Sequence, residues 1–351
     1  MKPGIRKILQ SVLAILFVVM TIGSGYLFMA QADRLDRRLS AEEYRTPGQI
    51  ARWHGSRPIR EELDWMITKS KAAGDAEAER LYGVALKSFV DGKGFSFTTP
   101  PVSPFLIWCT LSTALAALVI LILSRFVRHD ALQTLLGIAS GFMAWITVEH
   151  GLVMASRSLG IARRLEIING TIAGVRGEFV LLEYSWVFLL LVLLYLLFQE
   201  SVRCPLFLFL RRRFSLMRGP AAAGRIDNYA PRVAFFYASS IWTFYVILLL
   251  AFDESVFGIH SWFTYAFFAV CLVSAVYLLV RIVRLGSPGA VLRYAIGVTL
   301  VLWSVLEIFI KWRMVSGLWV NWGPPAILLF SVALFLSAFM IVRQIRKRSG
   351  A

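Results

Sequence analysis

The sequence is short of the residues from which soluble active sites and extracellular scaffolds are usually built. It has three cysteines and four histidines among 351 residues, and 17% of its positions are charged. Cys109 and Cys271 fall in apolar runs and Cys204 at the margin of one, with none in the long hydrophilic segment. No disulfide framework is therefore indicated, and the thiols read as small fillers between helices. The histidines, His54, His129, His150 and His260, include no pair four residues apart, so a helical metal clamp is excluded and no metal site is expected. The apolar runs also lack the two facing histidines that each haem of a bis-histidine cytochrome b needs, so haem is disfavoured. No Walker lysine loop, GxSxG elbow or HExxH occurs, which leaves the cofactor unknown.

Charge is missing at one further place. The central thirds of the apolar runs contain serine, threonine and tyrosine but no ionisable acid or base, and Pro104, Pro205, Pro231, Pro288, Pro324 and Pro325 lie at run ends. Ion-coupled carriers keep ionisable groups or broken helices at mid-depth, so ion-coupled transport is disfavoured. Movement of an amphipathic substrate along a polar or lipid-facing groove stays open.

What the chain has in excess is apolar length. Hydrophobic residues make up 58% of it and its mean hydropathy is +0.68. Runs near 8–29, 104–124, 131–155, 179–199, 233–252, 262–283, 290–310 and 324–342 each reach about 20 residues, enough to cross roughly 30 Å of hydrocarbon at 1.5 Å per residue. The sequence predicts an all-α fold, a polytopic transmembrane helical bundle of about eight spans. Ala30-Gln31-Ala32 resembles a signal-peptidase site, but the preceding run exceeds a typical signal core, so a retained first helix is expected.

The net charge of +16 comes from basic residues at the ends of these runs, where they orient helices and meet anionic lipid; nucleic acid is not an expected partner. With the N-terminus inside, Lys and Arg crowd the inner loops, and the short outer loops keep Arg157, Arg163, Arg164, Arg176, Lys311 and Arg313. The expected location is a bacterial inner membrane with both termini cytoplasmic. The domain reading is a first helix at 1–30, an extracytoplasmic helical cap at 31–103, a seven-helix membrane bundle at 104–343 and a basic cytoplasmic tail at 344–351. Within the cap, 12 basic and 11 acidic residues nearly balance, as in a folded unit. Its apolar spacing predicts helices over 58–71 and 75–90.

Three features suggest contacts. Arg211, Arg212 and Arg213 follow an apolar stretch at 205–210 and would meet phosphates of lipid headgroups, though an ordinary inner-side anchor accounts for the same residues. Gly137 and Gly141 form a small-xxx-small face, which serves packing within the chain or against a partner subunit. The cap offers a second surface for a protein partner.

The strongest pattern pairs carboxylates with tryptophans near the outer ends of the spans: Glu149 with Trp145, Glu183 with Trp186, and Glu307 with Trp303. An acid inside a span needs water or a partner, since its insertion costs about 3 kcal/mol. Lys311 stands four residues after Glu307, in the order that favours a helical ion pair. His150 neighbours Glu149 but points about 100° away around the helix. The interfacial reading is a tryptophan belt with carboxylates reaching water. The binding reading is an outward pocket for a lipid or small ligand, formed by Trp145, Glu149, His150, Glu183, Trp186, Trp303, Glu307 and Lys311. The catalytic reading uses Glu149 or Glu183 as general acid or base at the outer leaflet. The expected function is an integral component of an envelope complex that carries such a pocket. The alternatives are an outer-leaflet enzyme using Glu149 and Glu183, and a carrier or flippase for an amphipathic substrate.

Overall fold

Serine and proline set where the membrane helices begin. In the computed structural model, Ser103, Ser261 and Ser287 accept hydrogen bonds from the backbone N–H groups of Leu106, Thr264 and Ala290, which satisfies donors that a helix start leaves open. Pro104 and Pro288 then occupy first-turn positions where no N–H is needed. The structure describes residues 3–39, 52–53, 57–93, 95, 97–168, 170–198, 205–213, 228–254, 256–314, 338–339 and 342. The eighth apolar run at 324–342 lies almost wholly outside these, as do the basic tail, His54 and Cys204.

The chain runs through α1 (Pro3–Leu39), β1 (Arg52–Trp53), α2 (Ile59–Ala73), α3 (Ala76–Val90), α4 (Pro104–Ser124) and α5 (Asp130–Ser158). It continues through β2 (Ile161–Ala162), β3 (Arg164–Ile168), β4 (Thr171–Val175), α6 (Gly177–Tyr184), α7 (Trp186–Phe198) and α8 (Pro205–Arg213). α9 (Ala230–Phe252), α10 (Trp262–Ile282) and α11 (Pro288–Lys311) complete the described elements. Six of these helices are long and apolar enough to cross a membrane: α1, α4, α5, α9, α10 and α11. A seventh crossing is available if α6 and α7, bent by 41° at Ser185, count as one broken span. The protein is a multi-pass helical bundle.

Burial ranks the helices. Only 17% of the apolar stretch of α4 and of α10 is covered by protein, against 61% for α11, so α11 is central and the other two present most of their surface to lipid. Lipid tails are as apolar as leucine, so close backbone approach has to replace the hydrophobic drive between helices. Gly137 and Gly141 supply it. A Cβ at either glycine would sit 2.7 Å from the carbonyl oxygen of Ala230 or Ala234, so α5 and α9 meet backbone to backbone. This small-residue face is filled from within the chain, which removes it as a surface for a partner subunit.

The cap forms at one end of the bundle. α2 and α3 make the two expected helices, turned at Gly74 with φ 71° and restarted by Asp75, whose carboxylate accepts from the Ala78 N–H. The stretch 161–175, read from sequence as a short outer loop, instead forms strands. β3 and β4 pair as an antiparallel hairpin with Gly170 at φ 73° in its turn, and β2 pairs in parallel with β1. Thr98 bridges to Ala173 in β4. Leu63, Tyr82 and Phe97 from the first segment and Ala162 and Leu165 from the second share one buried core. The cap therefore extends beyond 31–103 and is assembled from two parts of the chain.

A wholly buried ion pair joins cap to bundle. Asp36, near the end of α1, pairs with Arg157, near the end of α5; their side chains are 0% and 5% exposed. Ser103 also donates to Asp36, and Arg157 donates to the Pro101 carbonyl at 3.0 Å. At the opposite end, Arg293 of α11 donates to Asp130 at 2.5 Å and to Thr134 at 2.8 Å, and stacks 4.3 Å from the Tyr229 ring centroid. On α8, Arg211 is buried at 1% exposure while Arg212 and Arg213 are exposed, so only the latter two are placed to meet headgroups.

Candidate functional site

Helical periodicity aims four residues of α5 and α11 at one space. Trp145 and Glu149 on α5, like Trp303 and Glu307 on α11, stand one turn apart, and the two helices carry these pairs to a common cavity in the cap-side half of the bundle. α1 closes it with Ile22, Gly25 and Met29, and α9 with Tyr237, Ile241, Phe244, Tyr245 and Leu248. Its cavity volume is about 90 Å³, and the space out to its open mouth about 680 Å³.

The walls are aromatic and the polar groups are few. Trp145 meets Tyr245 edge to face at 6.3 Å between centroids. Tyr237 shares a hydrogen bond of 2.8 Å with Thr21, and the Ser304 hydroxyl donates to the Leu300 carbonyl at 2.9 Å. Each carboxylate has the indole N–H of its own tryptophan as hydrogen-bond neighbour. Glu149 is 7% exposed, and its Oε2 has no hydrogen-bond partner among the described residues. A buried carboxylate oxygen left open in an aromatic cavity is the feature that marks this place as a site.

The remaining expected residues are placed elsewhere. His150 turns toward α1, with its ring 6.1 Å from that of Phe28, and does not line the cavity. Glu183 is held outside it by Arg163, which donates to Glu183 at 2.7 Å and to Asp253 at 3.1 Å. Trp186 follows the break in the span and is 46% exposed. Ser185, at the break, donates to the Leu182 carbonyl and accepts from the Trp242 indole at 2.7 Å. The structure thus joins two of the three Glu–Trp pairs, and Glu149 and Glu183 do not share a site. Lys311 makes no direct ion pair with Glu307; its ammonium lies 5.3 Å from the Phe252 ring centroid and interacts with Glu307 through space.

Among the described residues, no group of three His, Cys, Asp or Glu side chains is arranged to hold a metal ion. Sequence reasoning missed the aromatic wall, Phe142, Tyr237, Phe244 and Tyr245. Its signal was present: Tyr237 and Tyr245 recur eight residues apart on one face of α9, and Phe142 lies one turn before Trp145. Arg163, which pairs with both Glu183 and Asp253, came from a loop whose shape the sequence did not reveal. The sequence matches no protein-family model, and neither a curated protein nor a solved structure is detectably similar to it.

Proposed function

We propose that this chain is an integral component of a bacterial inner-membrane assembly whose cap-side cavity holds a lipid or small amphipathic ligand. The convergence of Glu149 and Glu307 with Trp145 and Trp303 in one aromatic cavity carries this reading, because a buried, partnerless carboxylate oxygen is costly unless something fills the space before it. The cavity lies in the half of the bundle that carries the cap, which the positive-inside pattern assigns to the outer leaflet.

The test is native mass spectrometry of the purified protein beside Ser304→Phe, a change that fills the cavity from α11. Wild type retains a bound amphiphile and the variant releases it. Absence of the adduct from wild type, or an equal adduct in both, overturns the proposal.

The assembly half of the proposal rests on the cap. Trp65 is 36% exposed there, with Arg57, Lys69 and Arg164 at 5.1, 5.3 and 5.9 Å from its ring centroid, a surface suited to an acidic protein. A photo-crosslinking side chain at position 65 captures that protein in cells; recovery of the uncrosslinked chain alone removes this half.

A further inference from the structure

The cavity's own chemistry narrows its ligand, an inference that rests on the binding reading above. Six aromatic side chains, Phe142, Trp145, Tyr237, Phe244, Tyr245 and Trp303, line it, and among the described residues no basic side chain does. Its polar lining consists of two carboxylates and the hydroxyls of Tyr237, Tyr245 and Ser304. The indole N–H groups serve the two carboxylates, the Tyr237 hydroxyl is shared with Thr21, and the Ser304 hydroxyl is bonded to Leu300. A phosphate or carboxylate head would find few donors and two like charges.

The charges around Glu149 come from each packed element in turn. Arg176, just before α6, and Glu178 in its first turn pair with each other at 3.7 Å. α11 presents Glu307 and Lys311. The cavity faces of α9 and α1 carry no charge; α9 offers Tyr237 and Tyr245, and α1 only Ile22, Gly25 and Met29. His150, on α5 itself, faces Phe28. Glu149 therefore turns toward the cavity a carboxylate oxygen with no hydrogen-bond partner among the described residues, a buried negative charge when ionised. In a low-dielectric setting such a charge is held by a proton or by a cation.

We propose that the cavity binds the head of an organic ammonium amphiphile, seated on the carboxylates of Glu149 and Glu307 and enclosed by the indoles of Trp145 and Trp303. Aromatic faces attract a cation through their quadrupole, and a partly desolvated ammonium gains most from them. The proton and the ammonium compete for the same oxygens, so binding weakens as the medium is acidified.

The experiment measures the thermal unfolding midpoint of the protein in neutral maltoside micelles, since a ligand that binds only the folded state raises it. The probes are dodecyltrimethylammonium, dodecyl phosphate and dodecanol, with tetramethylammonium as the head without a chain. Dodecyltrimethylammonium raises the midpoint, less so at pH 5 than at pH 8, and the phosphate and the alcohol leave it unmoved. Glu149→Gln shifts the half-maximal concentration about tenfold upward. A response to tetramethylammonium identifies a free cation as sufficient, and a response only with the chain identifies a lipid-like ligand. Equal stabilisation by the phosphate or the alcohol overturns the ammonium inference and leaves the cavity reading standing. No response to any probe, together with no retained amphiphile, overturns both. Should Glu149→Gln fail to fold, the head-group comparison on wild type and the same titration of Glu307→Gln decide the question.

Discussion

Glu62 shows how a single buried acid affects the cap. It lies buried in α2, and burial pushes its carboxyl above the ordinary value of 4.5 despite the opposing charges of Arg57, Arg164 and Lys69. Between the unfolded and the raised folded value, the folded state keeps a proton that the unfolded chain has released. Stability is therefore lost as pH rises through that window, and the penalty persists above it. Glu62→Gln is expected to raise the unfolding midpoint at neutral pH and to flatten its dependence between pH 4 and 7; an unchanged or lower midpoint at neutral pH would sink this account. Glu149 was legible in the sequence for a similar reason: an acid in an apolar run stands out, and its spacing from Trp145 is fixed by one helix. Its convergence with Glu307 was not legible, because it depends on which helices neighbour which. Glu183 looked like an equal candidate until the hairpin brought Arg163 to it, 20 residues away in the chain.

At the scale of elements, two contacts hold the bundle in register. α5 lies against α9 only because residues 137 and 141 have no side chain. Gly141→Val is predicted to cost roughly 1–3 kcal/mol through forced separation of the helices, read from the unfolding midpoint in detergent; a neutral result would mean that the contact is not maintained. The Asp36–Arg157 pair makes a second prediction. Arg157→Met strands a buried carboxylate and should cost about 3–5 kcal/mol, while the double variant Asp36→Leu with Arg157→Met should recover much of the loss. If the double variant is as unstable as the single one, packing and not charge explains the effect. Helix existence and most helix ends were readable from apolar length and from serine and proline signals. The hairpin was not read, although Asn169-Gly170 between β-branched runs is a strong turn signal. It was overlooked because a short outer loop in a membrane protein carries no expectation of strands.

At the scale of the molecule, the proposed orientation, with the cap on the outer side, is open to a labelling test. In a cysteine-free background, Val84→Cys, on an exposed face of α3, should react with a membrane-impermeant maleimide in intact cells, and Arg212→Cys only after permeabilisation. The reverse pattern would invert the topology. Composition predicts about eight spans; six are helices long and apolar enough to cross, and the eighth run lies almost wholly outside the described residues. The break in the seventh was not legible, since α6 and α7 form one continuous apolar stretch in which Ser185 accepts from the Trp242 indole.

The divided origin of the cap bears on how the protein is made. α2 and α3 leave the translocation machinery before α4 and α5 exist, and until then Leu63 and Tyr82 have no strands to cover them. The hairpin reaches them only after α5 has crossed in the correct direction. Closure of the cap thus registers that two later spans were inserted the right way round. A chain that ends before residue 160 lacks Ala162 and Leu165, which complete this core.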